Sequence, residues 1–102
     1  MRMEHKRQLD HSILHRIRRA PIVPTILPIP PDALCRYIRT LNEEGYPALE
    51  VLCRPVGDAI DAVASLSDRP ERTMISIGIG TVLTREAAEQ AARLRPDFIV
   101  SP

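Results

Sequence analysis

The stretch "ALEVLCRPV", residues 48–56, has the apolar content of a buried strand, yet it holds Glu50 and Arg54 inside the run. Read as a strand, it sends Glu50, Leu52 and Arg54 to one face and Leu49, Val51 and Cys53 to the other, because successive side chains alternate. Glu50 is mid-strand and Arg54 at the C-terminal end, at most ~13 Å farther along by strand rise. One account of the charges is structural, with Arg54 bonding another carboxylate or a loop carbonyl. The other is chemical. An isolated carboxylate is costly to bury, and one whose pKa is raised by its surroundings is a natural proton shuttle. An arginine at the strand end can hold a substrate carboxylate through two parallel hydrogen bonds.

Three further apolar runs accompany this one: "PIVPTILPI" from residue 21, "TMISIGIG" from 73 and "DFIVSP" from 97, with "YPALEVLC" from 46 between the first two. Their starts are about 25 residues apart, and segments of helical periodicity separate them. The first has Asp32 as expected N-cap, apolar Leu34, Ile38 and Leu41, and Gly45 at its C-terminal end. The second runs near Val56 to Leu66, with Ile60, Val63 and Ala64 on one face. The third opens at Thr84, carries Glu86 in its first turn and stops before Pro96. A short helix is expected around Leu9 to Arg19. Strand alternating with helix predicts βαβαβαβ with four parallel strands, since parallel neighbours need a crossover. A doubly wound open sheet and part of a (β/α)₈ barrel share that signature. Pro24 and Pro28 remove ladder donors from the first strand, which suits an edge or a bend in register.

The 102 residues make one domain at most. Hydrophobic residues at 44% and charged residues at 26% are ordinary globular usage, so disorder and membrane classes are not indicated. A net charge of +1 and 3% aromatics give no reason to expect nucleic acid or an anionic membrane as partner. Cys35 and Cys53 lack metal or redox spacing and read as reduced core thiols, which fits a cytoplasmic protein. No run approaches the roughly 20 apolar residues of a membrane span, and the start "MRMEHKRQLDHS" has no hydrophobic centre. His5, His11 and His15 read as surface residues rather than metal ligands.

A second constellation is "IGIGTVLT", residues 77–84. Gly78 and Gly80 end the third strand and Thr81 follows, so backbone can approach a ligand and a hydroxyl is at hand. Tight-turn glycines and a capping threonine are the plainer reading. The stretch is neither a dinucleotide fingerprint nor a phosphate loop, which disfavours a stand-alone doubly wound domain. Both constellations fall at the same edge of the expected sheet, as an active site requires.

"PIVPTI", "ALEVLCR", "GIGTVLT" and "DFIVSP", in this order and spacing, resemble the first half of the 2-keto-3-deoxy-6-phosphogluconate (KDPG) and 4-hydroxy-2-oxoglutarate (KHG) aldolase family, over residues 13–102. The resemblance implies the N-terminal half of a (β/α)₈ barrel, with residues 1–12 as a polar tail. It also implies a class I aldolase: a lysine forms a Schiff base with a 2-keto-4-hydroxy acid, and C–C cleavage gives pyruvate and an aldehyde, with no cofactor and no metal. By this likeness Glu50 is the general acid/base, and Arg54 and Thr81 hold the pyruvyl carboxylate, with Gly78 and Gly80 as supporting backbone.

The chain departs from the family at Leu52, where a threonine is usual, and at "RLRPD" before the fourth strand. The family's Schiff-base lysine belongs to the sixth strand, and the only lysine here is Lys6, in the polar tail. The expectation is therefore a proton shuttle and a carboxylate clamp without a nucleophile, and a chain inactive alone. Family members are usually trimers, so the expected partners are a pyruvate-like keto acid and either further copies of the chain or a C-terminal half barrel. The alternative is a non-catalytic half-barrel module that binds or assembles around a small carboxylate or phosphate.

Overall fold

Pairing follows chain order: four parallel strands lie side by side as β1-β2-β3-β4. The computed structural model describes residues 22–101. The expected first helix, the polar start, Lys6 and the three histidines lie outside the described residues. The strands are β1 (Thr25–Ile26), β2 (Ala48–Leu52), β3 (Ser76–Gly80) and β4 (Phe98–Ile99). Between them run helices α1 (Pro31–Glu43), α2 (Val56–Ala64) and α3 (Arg85–Arg93). A 3₁₀ turn at Pro70–Thr73, not expected from the sequence, precedes β3.

All three helices pack on one face of the sheet. Leu34, Ile38 and Leu41 of α1, Ala59 and Val63 of α2 and Ala87 and Ala91 of α3 share a single core with Leu49, Val51, Ile77 and Ile79 of the central strands. Strands in sequential order with helices on one side form the arc of a barrel; a doubly wound sheet reverses order and covers both faces. The fold is thus an α/β half barrel of four parallel strands, and the face on which none of the described helices packs is the inner one. By register, Thr25, Glu50, Gly78 and Phe98 form one row across that inner face, and Leu52 lies beside Gly80 in the next.

Local sequence explains most element ends. The α1 cap differs from expectation: Pro30 is the cap, Pro31 opens the helix, and no side chain caps it. Proline suits that position because its missing N–H has no helical partner there. Asp32 instead lies in the first turn and pairs with Arg69 at 3.1 Å. At the other end Gly45 adopts φ +85°. Tyr46 N–H donates to Leu41 C=O at 2.9 Å and Gly45 N–H to Asn42 C=O at 3.2 Å. These two bonds are the Schellman pattern. On α2 the buried stripe is Ala59, Ala62 and Val63, continued by Leu66 beyond the helix, while Ala64 is exposed. The expected face was therefore rotated by about one position. Thr84 caps α3 as expected, its Oγ1 accepting from Ala87 N–H at 3.0 Å.

β1 is shorter than its apolar run because Pro24 and Pro28 flank it and neither can donate to a ladder. β4 is anchored by the residue before it. Asp97 N–H donates to Ile77 C=O at 2.8 Å, and the Asp97 carboxylate accepts from Ile77 N–H at 2.7 Å. Arg72 holds the same carboxylate at 3.0 Å and also donates to Arg95 C=O. A second pair, Arg39 to Glu71 at 2.7 Å, ties α1 to the 3₁₀ turn. Cys35 and Cys53 are buried free thiols, and burial raises the pKa of both.

Candidate active site

Glu50 lies on the inner face, one row before the end of β2, and Arg54 and Thr81 lie in the loops that leave the C-terminal ends of β2 and β3. Those loops are tied to the sheet by backbone bonds. Cys53 N–H donates to Gly80 C=O at 2.9 Å, Arg54 N–H to Leu52 C=O at 2.9 Å, and Val82 N–H to Val100 C=O at 3.2 Å. The structure thus gathers the three expected residues at one end of the sheet. That end is where barrels of this architecture carry their chemistry.

The carboxyl group of Glu50 is laid forward along the sheet. Its register partner is Gly78, but its Cγ, Cδ and Oε2 occupy the space that a methyl group on Gly80 would fill. The ring of Phe98 occupies the corresponding space above Gly78. The two glycines therefore make room for side chains of the flanking strands. Glu50 is half-buried, and loss of hydration raises its pKa above the ordinary glutamate value. No charged group contributes to that shift, which is the pattern of a carboxyl held out of water without an ion-pair partner.

Arg54 is exposed and Thr81 half-buried. Thr81 has φ +58°, an uncommon region for a β-branched residue. Among the described residues, the side chains of Glu50, Arg54 and Thr81 make no hydrogen bond or ion pair with protein groups. The strand-end ion pair considered for Arg54 is therefore absent among those residues. A carboxyl of raised pKa on β2, and a guanidinium and a hydroxyl in the loops after β2 and β3, thus share one end of the sheet. Such a set can exchange a proton with one part of a ligand while binding an anionic group of another.

Residues 13–102 match the family model for KDPG and KHG aldolase. The chain belongs to that family. No curated protein matches it, and no solved structure matches it. Family membership agrees with the half-barrel sheet and suggests KDPG/KHG-type aldolase function.

One residue beside the candidate site, Phe98, and one at the opposite end of the sheet, Asp97, escaped sequence reasoning. Phe98, the single phenylalanine of the chain, enters the sequence reading only within the fourth strand and the "DFIVSP" stretch of the family resemblance. The available signal was Gly78 and Gly80 at spacing two, which leaves a gap on one face that neighbouring strands must fill. Asp97 was read as part of a departure from the family pattern, and its anchoring of β4 depends on a contact with no local signature. Elsewhere, a shallow cavity of about 280 Å³ is lined by Pro28, Ile29, Pro30, Pro31, Asp58 and Asp61, and it includes none of the site residues. Among the described residues, no group of three or more His, Cys, Asp or Glu side chains is placed to hold a metal ion. No helix among them is long and apolar enough to cross a membrane.

Proposed function

We propose that the chain provides the proton-transfer and carboxylate-binding wall of a class I aldolase acting on a 2-keto-4-hydroxy acid such as KDPG or 4-hydroxy-2-oxoglutarate. The observation that carries the reading is Glu50: a half-buried carboxyl of raised pKa, without a salt-bridge partner among the described residues, on the inner face at the loop end of a family-matched sheet. In retro-aldol cleavage the C4 hydroxyl loses its proton, the C3–C4 bond breaks, and the electron pair moves onto an iminium formed at C2. Glu50 takes that proton and later returns one to C3, after which hydrolysis releases pyruvate. Arg54 and Thr81 hold the substrate carboxylate and so orient C3–C4 against Glu50.

No residue of 22–101 is a lysine, so in this reading the imine nitrogen comes from outside that segment. The reading takes it from the C-terminal half of a family barrel. No cofactor enters, and the protein works as a cytoplasmic assembly of several copies or of two halves.

The test is calorimetry with pyruvate, followed by borohydride trapping with such a C-terminal half supplied. Arg54→Ala should abolish pyruvate binding, while Glu50→Gln should retain binding and lose cleavage. Trapping should label the supplied half and leave Lys6 unlabelled. Labelling of Lys6, or binding indifferent to Arg54→Ala, would overturn the reading. Cleavage retained by Glu50→Gln would remove Glu50 as the proton shuttle, and pyruvate binding with no cleavage by the wild type would leave only the non-catalytic binding module.

A further inference from the structure

On the inner face, two side chains from flanking strands lie over two glycines of β3. Phe98 crosses from β4 onto Gly78, and Glu50 crosses from β2 onto Gly80. Gly78 is the direct neighbour of Glu50 in the register and would be the natural surface for a glutamate extending straight across. That place is taken by the Phe98 ring. The next surface toward the loop end is Gly80, whose missing side chain leaves a shallow pit. All four residues are buried or half-buried, so the arrangement is packed rather than hanging in solvent.

We propose that Gly80 and Phe98 are positioning residues for Glu50: the ring closes the space over Gly78, and the bare Cα of Gly80 opens the pit that draws the carboxyl toward the loop end of the sheet. The functional meaning rests on the aldolase reading, whereas the geometry and its test need no catalysis. Seating the carboxyl in the pit also withdraws part of it from water, in keeping with the raised pKa of Glu50. The three heavy atoms nearest to a methyl group at Gly80 would be Cγ, Cδ and Oε2 of Glu50, the outer part of a flexible side chain. The chain can therefore accommodate it by expelling the carboxyl toward solvent, with β3 left in place.

The experiment is a carboxyl-carbon NMR titration of the full chain labelled at glutamate, with the Glu50 resonance identified by its loss in Glu50→Gln. Gly80→Ala should move the Glu50 midpoint down toward the ordinary glutamate value. Gly57→Ala, whose added methyl meets nothing within 4 Å, should leave it in place. Phe98→Leu, which frees space over Gly78 with little loss of apolar surface, should move it in the same direction by less. It also serves if Gly80→Ala does not fold. A Glu50 midpoint unchanged in Gly80→Ala, or in Phe98→Leu where only that variant folds, overturns the proposal. Wild-type cleavage by Glu50→Gln combined with a shifted midpoint in Gly80→Ala would remove the catalytic role and keep the positioning; the reverse pair of results would do the opposite.

Discussion

Replacing Asp97 with alanine removes one carboxylate that performs two tasks at the start of β4. It accepts from Ile77 N–H at 2.7 Å and from Arg72 at 3.0 Å, with only 22% of its side chain exposed. Ile77 is fully buried, so its amide loses a charge-assisted bond where water reaches poorly, at about 1.5–3 kcal/mol. The partly exposed ion pair adds roughly 0.2–1 kcal/mol. We expect Asp97→Ala to cost about 2–3 kcal/mol, a large share of the roughly 5–15 kcal/mol of a domain this size. The melting temperature should fall by roughly 10–20 °C. Asp97→Asn keeps an acceptor oxygen and should lose about half as much, and Arg72→Ala, which spares the amide bond, about 1 kcal/mol. Urea unfolding followed by circular dichroism gives these differences, and hydrogen exchange at the Ile77 amide localises them. An Asp97→Ala cost below about 0.5 kcal/mol, or an Arg72→Ala cost equal to it, would refute the assignment of the main contribution to the amide.

Two further predictions rest on other parts of the fold. Gly57 lies inside α2 with open space at its Cβ position, so Gly57→Ala should stabilise by roughly 0.5–1 kcal/mol, while Gly45→Ala forces an alanine to φ +85° and should destabilise by about 1 kcal/mol; urea midpoints moving the same way would count against this. The pKa of Glu50 is raised by burial, so its contribution to stability is greatest below the ordinary glutamate pKa and is lost as pH rises through the folded value; Glu71 is lowered by a bond to its own backbone amide and by Arg39, so its contribution is present above the ordinary value and lost as pH falls. Urea midpoints measured across the carboxylate range should therefore fall less with rising pH in Glu50→Gln, and less with falling pH in Glu71→Gln, than in the wild type.

The order of elements was legible because apolar runs and helical periodicity alternate cleanly, and the glycine and threonine ends at Gly45 and Thr84 carry local signals. Choosing between barrel arc and doubly wound sheet required the structure or a family resemblance. The choice depends on which face each helix covers, and α1 or α3 would show the same apolar stripe on either side. The 3₁₀ turn at Pro70–Thr73 was missed because it is held from afar, by Arg39 on Glu71 and by Arg72 on Asp97. Within the site, strand alternation alone put Glu50 on the face opposite Val51, and loop position put Arg54 and Thr81 at the same end. What alternation could not supply was the lean of Glu50 onto Gly80. That depends on Phe98, twenty residues farther along the chain from Gly78 and adjacent to it only once β4 has paired.

The sheet order also bears on how the chain reaches its fold. Each strand's partner is the next one in sequence, at separations of 25 residues from Thr25 to Glu50, 28 from Glu50 to Gly78 and 20 from Gly78 to Phe98. Loop-closure entropy grows only logarithmically with length, so these three closures differ by about 0.3 kcal/mol. No pairing has to wait for a distant one, and every strand added finds the preceding strand's edge already in place. The sheet can grow in the direction of synthesis, one βα unit at a time, and the space over Gly78 beside Glu50 is filled only when β4 is added.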